Sequence, residues 1–170
     1  VAEIAEGRLW GYYSDNYSTG MEVSTVEQLF QSGTLSGLKY STRNATKLSR
    51  IARLSIDLRR PVISAVASTL IQARSIGISG TTSLEACAFY TSLHQIDELH
   101  RRGKNSEAAR SQHIHNAWME RLPDGGRSDN YISVAEQKVL LQHLGVIKSS
   151  DVRLPLRSAT AEEARQIRKY

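Results

Sequence analysis

Cysteine is nearly absent from this chain: Cys87 is the only one in 170 residues. One thiol cannot close an intramolecular disulfide, so the fold must hold by packing, which suits a reducing compartment and points to a cytoplasmic protein. Proline is equally scarce, at three residues, which excludes a proline-rich extended chain. No stretch approaches the roughly 20 consecutive apolar residues of a membrane span, and Val1 to Gly20 has neither a basic start nor an unbroken apolar run, so the reading is of no membrane partner and no secretory leader. Internal repeats and low-complexity segments are missing too. What remains is 40% hydrophobic and 23% charged, a composition that folds, with length for one core. Lys and Arg number 22 against 17 Asp and Glu, and the surplus of +5 is spread along the chain rather than gathered in a tail. The chain starts at Val1 instead of methionine, which reads as a processed or truncated product.

The first half alternates short apolar runs with short amphipathic ones. Arg8 to Tyr13 is rich in strand formers, and Ser24-x-x-Glu27 has the pattern of a capping box ahead of Val26, Leu29 and Phe30. Leu35 to Ser41 reads as a second strand, and Leu48, Ile51, Ala52 and Ser55 mark one face of a helix that stops before Pro61. Val62 to Val66 and Ile76 to Ser79 are two further strand-like runs. Strict alternation of this kind predicts parallel strands with helical crossovers, an α/β fold. After Gly80 the period changes: Leu84 to Arg102, Ser106 to Leu122 and Ile132 to Leu144 all place apolar residues at helical spacing. Phe89, Leu93 and Ile96 are the expected inner face of the first, and Ile114, Trp118 and Leu122 that of the second. Pro123 to Gly126 reads as a loop and Ser158 to Tyr170 as a last short helix. The organisation is therefore residues 1–83 as β/α units and 84–170 as helices, within one structural domain.

Strand side chains alternate with period two, so Leu35, Gly37, Lys39 and Ser41 share one face of the second strand. On the first strand Leu9, Gly11 and Tyr13 share a face, with Trp10 and Tyr12 opposite. If helices cover the Leu38/Tyr40 and Trp10/Tyr12 faces, Lys39 and Tyr13 both point away from them, near the C-terminal strand ends where ligand sites of α/β barrels lie. An amine in a partly desolvated pocket keeps a neutral fraction that attacks a carbonyl to form an imine, and a neighbouring phenol moves the proton. The plainer reading stands beside it: lysine is a common solvated strand end, and tyrosine a common strand residue.

Leu9 to Gly20 (LWGYYSDNYSTG), Ser36 to Ser41 (SGLKYS), Val62 to Ser64 (VIS), Gly77 to Thr81 (GISGT) and Val152 to Leu156 (VRLPL) resemble, in order and spacing, the C-terminal half of the dihydrodipicolinate synthase/N-acetylneuraminate lyase family. The resemblance implies the C-terminal half of a (β/α)8 TIM barrel, four parallel strands with helices, plus a C-terminal helical extension. It implies a lyase or aldolase acting on pyruvate or another 2-oxo acid through a lysine Schiff base, with no metal or organic cofactor, in a homo-oligomer. Lys39 matches the imine-forming lysine. Tyr13, seven residues ahead of Gly20, matches the proton-relaying tyrosine. Ile78 matches a position whose backbone lines the keto-acid pocket, with Ser79 and Gly80 following, and Ser41 completes the substrate-binding set.

The chain also departs from that pattern. A full barrel has eight strands and about 250 residues, whereas four strands are expected here. Nothing in these residues matches the family's Gly-Thr-rich carboxylate loop or its second relay tyrosine. An unclosed sheet exposes two edges and an apolar face, so a second copy or a complementary half-barrel is the expected partner. Ser18 stands where the synthase branch has an arginine that holds a second carboxylate, which favours a lyase or aldolase over the synthase. Asp15-Asn16 replaces the customary hydrophobe-proline pair, and Ala65 stands where a glycine often lines the pocket.

Other signals are weaker. His113 and His115 lie two apart, on nearly opposite sides of a helix, with no acidic or cysteine partner spaced to complete a metal site. Arg43, Lys47 and Arg50, and Arg101-Arg102 with Lys104, fit solvated helix faces better than a nucleic-acid surface, so nucleic acid is not an expected partner. Cys87, among Ala86, Ala88 and Phe89, reads as core packing. The competing functional class is a non-catalytic truncated family member that keeps the fold and an oligomer surface.

Overall fold

The computed structural model describes residues 9–15, 18–123 and 133–169. Arg8, Asn16, Ile132, Tyr170 and all of the expected 123–126 loop except Pro123 lie outside them. The chain divides into two compact units, Val1–Ser83 and Leu84–Tyr170.

The first unit is a four-stranded parallel sheet in the order β1 (Trp10–Ser14), β2 (Gly37–Ser41), β3 (Val62–Ser64) and β4 (Gly80–Thr81). Between the strands lie α1 (Val23–Gln31), α2 (Ala45–Asp57) and α3 (Leu70–Ser75), the last entered through a 3-10 turn at Ala67–Thr69. Each helix packs on the same side. Val26 and Phe30 of α1, Leu48, Ile51 and Ala52 of α2 and Ala73 of α3 are buried against Tyr13, Leu38, Tyr40 and Val62. Burying each large apolar side chain stabilises the unit by about 1.5–3 kcal/mol, and this one-sided core is what orients the sheet.

The fourth strand sits later than the expected 76–79 run. Gly77 adopts φ +100°, a left-handed turn that ends α3. The Ile78 N–H still donates to the Ala73 carbonyl at 3.0 Å, so Ile78 remains tied to the helix end, and the ladder to β3 opens only with the Ser79 N–H on the Val62 carbonyl at 2.8 Å. The expected capping box at Ser24 is likewise displaced. Glu22 is the N-cap of α1 and makes no side-chain cap, which leaves Ser24 and Glu27 inside the helix. The Asn44 side chain caps α2 by accepting from the Lys47 N–H at 3.0 Å.

The second unit contains α4 (Ala86–Arg101), α5 (Asn105–Glu120), α6 (Val134–His143) and α7 (Ala161–Ile167). Reciprocal capping boxes open α6, through Ser133 and Glu136, and α7, through Thr160 and Glu163. Met119, Leu122, Val139, Leu140 and Ile167 form the core. On α5 the buried stripe is Ala108, Gln112, His115 and Met119, whereas Ile114 of the expected apolar face is 52% exposed. The reason is a buried polar pair: His115 Nε2 lies 3.2 Å from Glu85 Oε2, both side chains 1% exposed. Phe89 meets the imidazole edge-on, with centroids 5.7 Å apart. Cys87 is exposed rather than packed, because α4 turns its Leu93 and Ile96 face inward. Arg101 and Arg102 both pair with Glu98, and Lys104 with Glu107, so this basic cluster is answered by acids on its own helices.

His115→Leu keeps the bulk but removes the imidazole that faces the buried Glu85 carboxyl, and is expected to cost about 3 kcal/mol in urea unfolding, whereas His113→Leu, on the exposed side of α5, shifts stability by less than about 0.5 kcal/mol.

Candidate functional site

The β1–β2 register decides which side chains meet. Trp10 pairs with Gly37, Tyr12 with Lys39, Tyr13 with Tyr40 and Ser14 with Ser41. In a parallel ladder, paired residues project to the same side, so Lys39 shares its face with Tyr12 and not with Tyr13. The contacts agree. Lys39 Nζ stands 4.7 Å from the centroid of the Tyr12 ring, while Tyr13 stacks on Tyr40 at 4.6 Å on the helix-covered side. The expectation that Tyr13 and Lys39 point the same way is corrected here. Tyr13 is 3% exposed and belongs to the core, whereas Tyr12 is 52% exposed.

The same ladder extends across the sheet. Lys39 pairs with Ile63, and Ile63 with Gly80, so Tyr12, Lys39, Ile63 and Gly80 form one row on the face opposite the helices. Gly80 leaves that row open: a Cβ there would reach only Ile63 Cγ2, at 3.8 Å. Gly37 is needed for a different reason, because any Cβ would fall within 2.5 Å of the Trp10 ring that lies over it. Ser41 continues the Lys39 stripe toward the strand end, and its hydroxyl is buried with no hydrogen-bond partner among the described residues. Ser79 is exposed, and Ile78 is 1% exposed, its side chain in the core. The Ile78 carbonyl accepts from Arg74 Nη1 at 3.0 Å, and the Ser79 carbonyl accepts from the same nitrogen.

Beyond the strand ends the loops are tied by Asp15. Its Oδ1 accepts from the Tyr13 phenol at 2.8 Å and its Oδ2 from the Thr42 hydroxyl at 2.6 Å, while its N–H donates to the Ser41 carbonyl at 3.1 Å. Burial pushes the Asp15 carboxyl up, but the Thr42, Tyr13 and Arg43 N–H hydrogen bonds together outweigh it and hold the group below its ordinary value. The bond to Asp15, with burial, raises the Tyr13 phenol above its own ordinary value. Burial pushes Tyr40 up to about 12. Ser18 turns back onto β1, its hydroxyl accepting from the Ser14 N–H at 3.3 Å. Among the described residues no group of three or more metal-ligating side chains occurs.

Two residues escaped the sequence reading. Single-strand parity groups Tyr12 with Trp10 but has no absolute sense until a neighbouring strand sets the register. Asp15 was visible only as an unusual residue after the tyrosine. The complementary stripes Trp10-x-Tyr12 and Gly37-x-Lys39, bulky opposite small, were the available signal for the true pairing.

The arrangement can be set beside known proteins. The family model described as the dihydrodipicolinate synthetase family matches residues 13–170. No curated protein matches the sequence. Among solved structures, N-acetylneuraminate lyase from Fusobacterium nucleatum superposes with TM-score 0.79 at 20% identity, covering 95% of this chain and 53% of that one. Dihydrodipicolinate synthase from Bacteroides thetaiotaomicron gives TM-score 0.81 at 16% identity, covering 99% and 59%. A prophage protein of the dihydrodipicolinic acid synthase family from E. coli K12, in complex with pyruvate, gives 0.78 at 15% identity, covering 95% and 54%. The chain thus spans about half the length of these solved relatives, and its four parallel strands with their helices correspond to half of a (β/α)8 barrel.

Because the folded carboxyl of Asp15 is held down, its stabilising effect is present above the ordinary value of 3.8 and is lost as pH falls through the lower folded value. The stability gap between the native chain and Asp15→Asn is therefore expected to be widest near neutrality and to close in the acid range below 3.8, read by urea midpoints across pH.

Proposed function

The chain belongs to the dihydrodipicolinate synthetase family, and from that premise we propose that it carries the carbonyl-binding lysine of a Schiff-base lyase or aldolase of 2-oxo acids. One observation supports this most directly. Lys39 stands on the helix-free face of the sheet, in the middle of β2 with Ser41 beyond it at the C-terminal end, and the Tyr12 ring lies beside its amine. Ligands of α/β barrels meet the strands at their C-terminal ends.

In this reading the neutral amine of Lys39 adds to the ketone carbon of pyruvate or a related 2-oxo acid, a proton delivered by the relay phenol from solvent lets the carbinolamine hydroxyl leave as water, and a protonated imine remains. The iminium draws electrons from the adjacent carbon, so that carbon releases a proton and becomes an enamine. The enamine attacks an aldehyde in the synthetic direction, or arises when the same carbon–carbon bond breaks in the cleavage direction. We assign the proton relay at this carbon and at the aldehyde oxygen to Tyr12 rather than Tyr13, because the Tyr12 ring lies beside the Lys39 amine while Tyr13 is held in the core. The buried Ser41 hydroxyl is a donor for the substrate carboxylate or for the departing hydroxyl, and Gly80 leaves space beside the imine. Ile78 and Ser79 contribute backbone held by Arg74. The imine itself is the electron sink, so the scheme calls on no metal or organic cofactor. A second copy or a complementary half-barrel covers the exposed Trp10 and Tyr12 in the working assembly.

Intact-mass measurement after incubation with pyruvate and sodium borohydride tests this. A stoichiometric adduct that Lys39→Ala abolishes is the expected result, whereas no adduct on the native chain favours the non-catalytic family member. Tyr12→Phe is expected to retain the adduct but to slow deuterium uptake into the pyruvate methyl group by about 100-fold, the scale of a lost general acid or base.

A further inference from the structure

The Asp15 carboxylate does more than cap a loop. It lies immediately beyond β1 and receives donors from three directions: the Tyr13 phenol from the covered side of its own strand, the Thr42 hydroxyl beyond β2, and the Arg43 N–H at the approach to α2. Its own N–H holds the Ser41 carbonyl, two residues beyond Lys39. Thr42 in turn accepts from the Asn44 N–H at 3.1 Å, and Asn44 caps α2. One residue therefore ties the C-terminal ends of β1 and β2 to each other and to the helix that follows. Lys47 adds attraction from the first turn of α2.

From this we infer that Asp15 is a positioning residue for the reactive amine: it locks the ends of β1 and β2 in register and so holds the Tyr12 ring against Lys39. The inference deepens the Schiff-base reading, since Lys39 is the amine in question, but its geometry is present in the chain without substrate. The same contacts bear on selectivity. An internal carboxylate already takes the Thr42 and Arg43 donors that an external anion would use at this loop, so the second carboxylate of a dianionic substrate finds them occupied.

The Tyr12 ring lies against Nζ and shields it, so releasing Tyr12 is expected to make Lys39 about two- to fivefold more readily acylated, the scale of a partly exposed cation–π contact. The measurement is acylation of Lys39 by acetic anhydride, relative to the exposed Lys148, read by peptide mass spectrometry. Asp15→Asn keeps the shape but cannot accept all three donors. It is expected to raise the relative rate by that factor while circular dichroism and oligomer size stay native. In a Tyr12→Leu background the same Asp15→Asn change is expected to add nothing, because the residue acts through the ring. An unchanged Lys39 rate in folded Asp15→Asn, or an undiminished effect without Tyr12, overturns the inference. Should Asp15→Asn fail to fold, Tyr13→Phe and Thr42→Val each remove one donor, and a Lys39 rate unmoved by both overturns it equally. Borohydride trapping with pyruvate on the native chain is read separately. An acylation cycle that behaves as expected without trapping overturns the Schiff-base reading alone, and trapping without the acylation effect overturns only the role of Asp15.

Discussion

The pairing of Tyr12 with Lys39 is the constraint on which the rest of the first unit depends. A parallel strand slipped by one residue turns every side chain to the other face, so this register assigns Tyr13 to the core and Tyr12 to the open Lys39 face in a single step. Shape supports it along the strands, beside the Asp15 ties at their ends. Trp10 fits only over a glycine at position 37, and Leu35 and Leu38 approach Gly11 so closely that a Cβ there would lie 2.9 Å from each. The two glycines face opposite sides of adjacent strands, so each side of the ladder has one close approach that only a glycine admits.

With the register set, the two faces of the sheet take different tasks. The covered face is dense and aromatic: Tyr13 and Tyr40 stack between strands and helices, the Tyr13 phenol raised by its bond to Asp15 and then by burial, the Tyr40 phenol by burial. The opposite face is sparse, with the row Tyr12, Lys39, Ile63 and Gly80 running across all four strands. Large solvent-exposed aromatics on a sheet face are surface that other protein ordinarily covers. The chain spans about half the length of its solved relatives.

Buried polar groups fix geometry in both units. Asp15 gathers the strand ends of the first, and the Glu85–His115 pair joins the start of α4 to α5 in the second. Each is costly to break because the partner left behind remains desolvated. The Glu85–His115 pair also explains why the inner stripe of α5 is polar: once His115 turns inward to Glu85, Ile114 is carried to the surface by the helical period.

The amino-acid sequence by itself determined the α/β alternation, the change to helices after Gly80, the place of Lys39 on the Gly37–Ser41 stripe and the family to which these motifs point. Those are properties of local period and motif order, which need no knowledge of neighbours. Tertiary structure alone decided that Tyr12 meets Lys39, that β4 begins at Gly80 rather than Ile76, that His115 is buried on Glu85 and that Asp15 binds two loops. Strand parity becomes a direction only when another strand supplies a register, a helix end is set by the turn that breaks it, and a polar residue enters a core only when its partner, distant in sequence, is folded beside it.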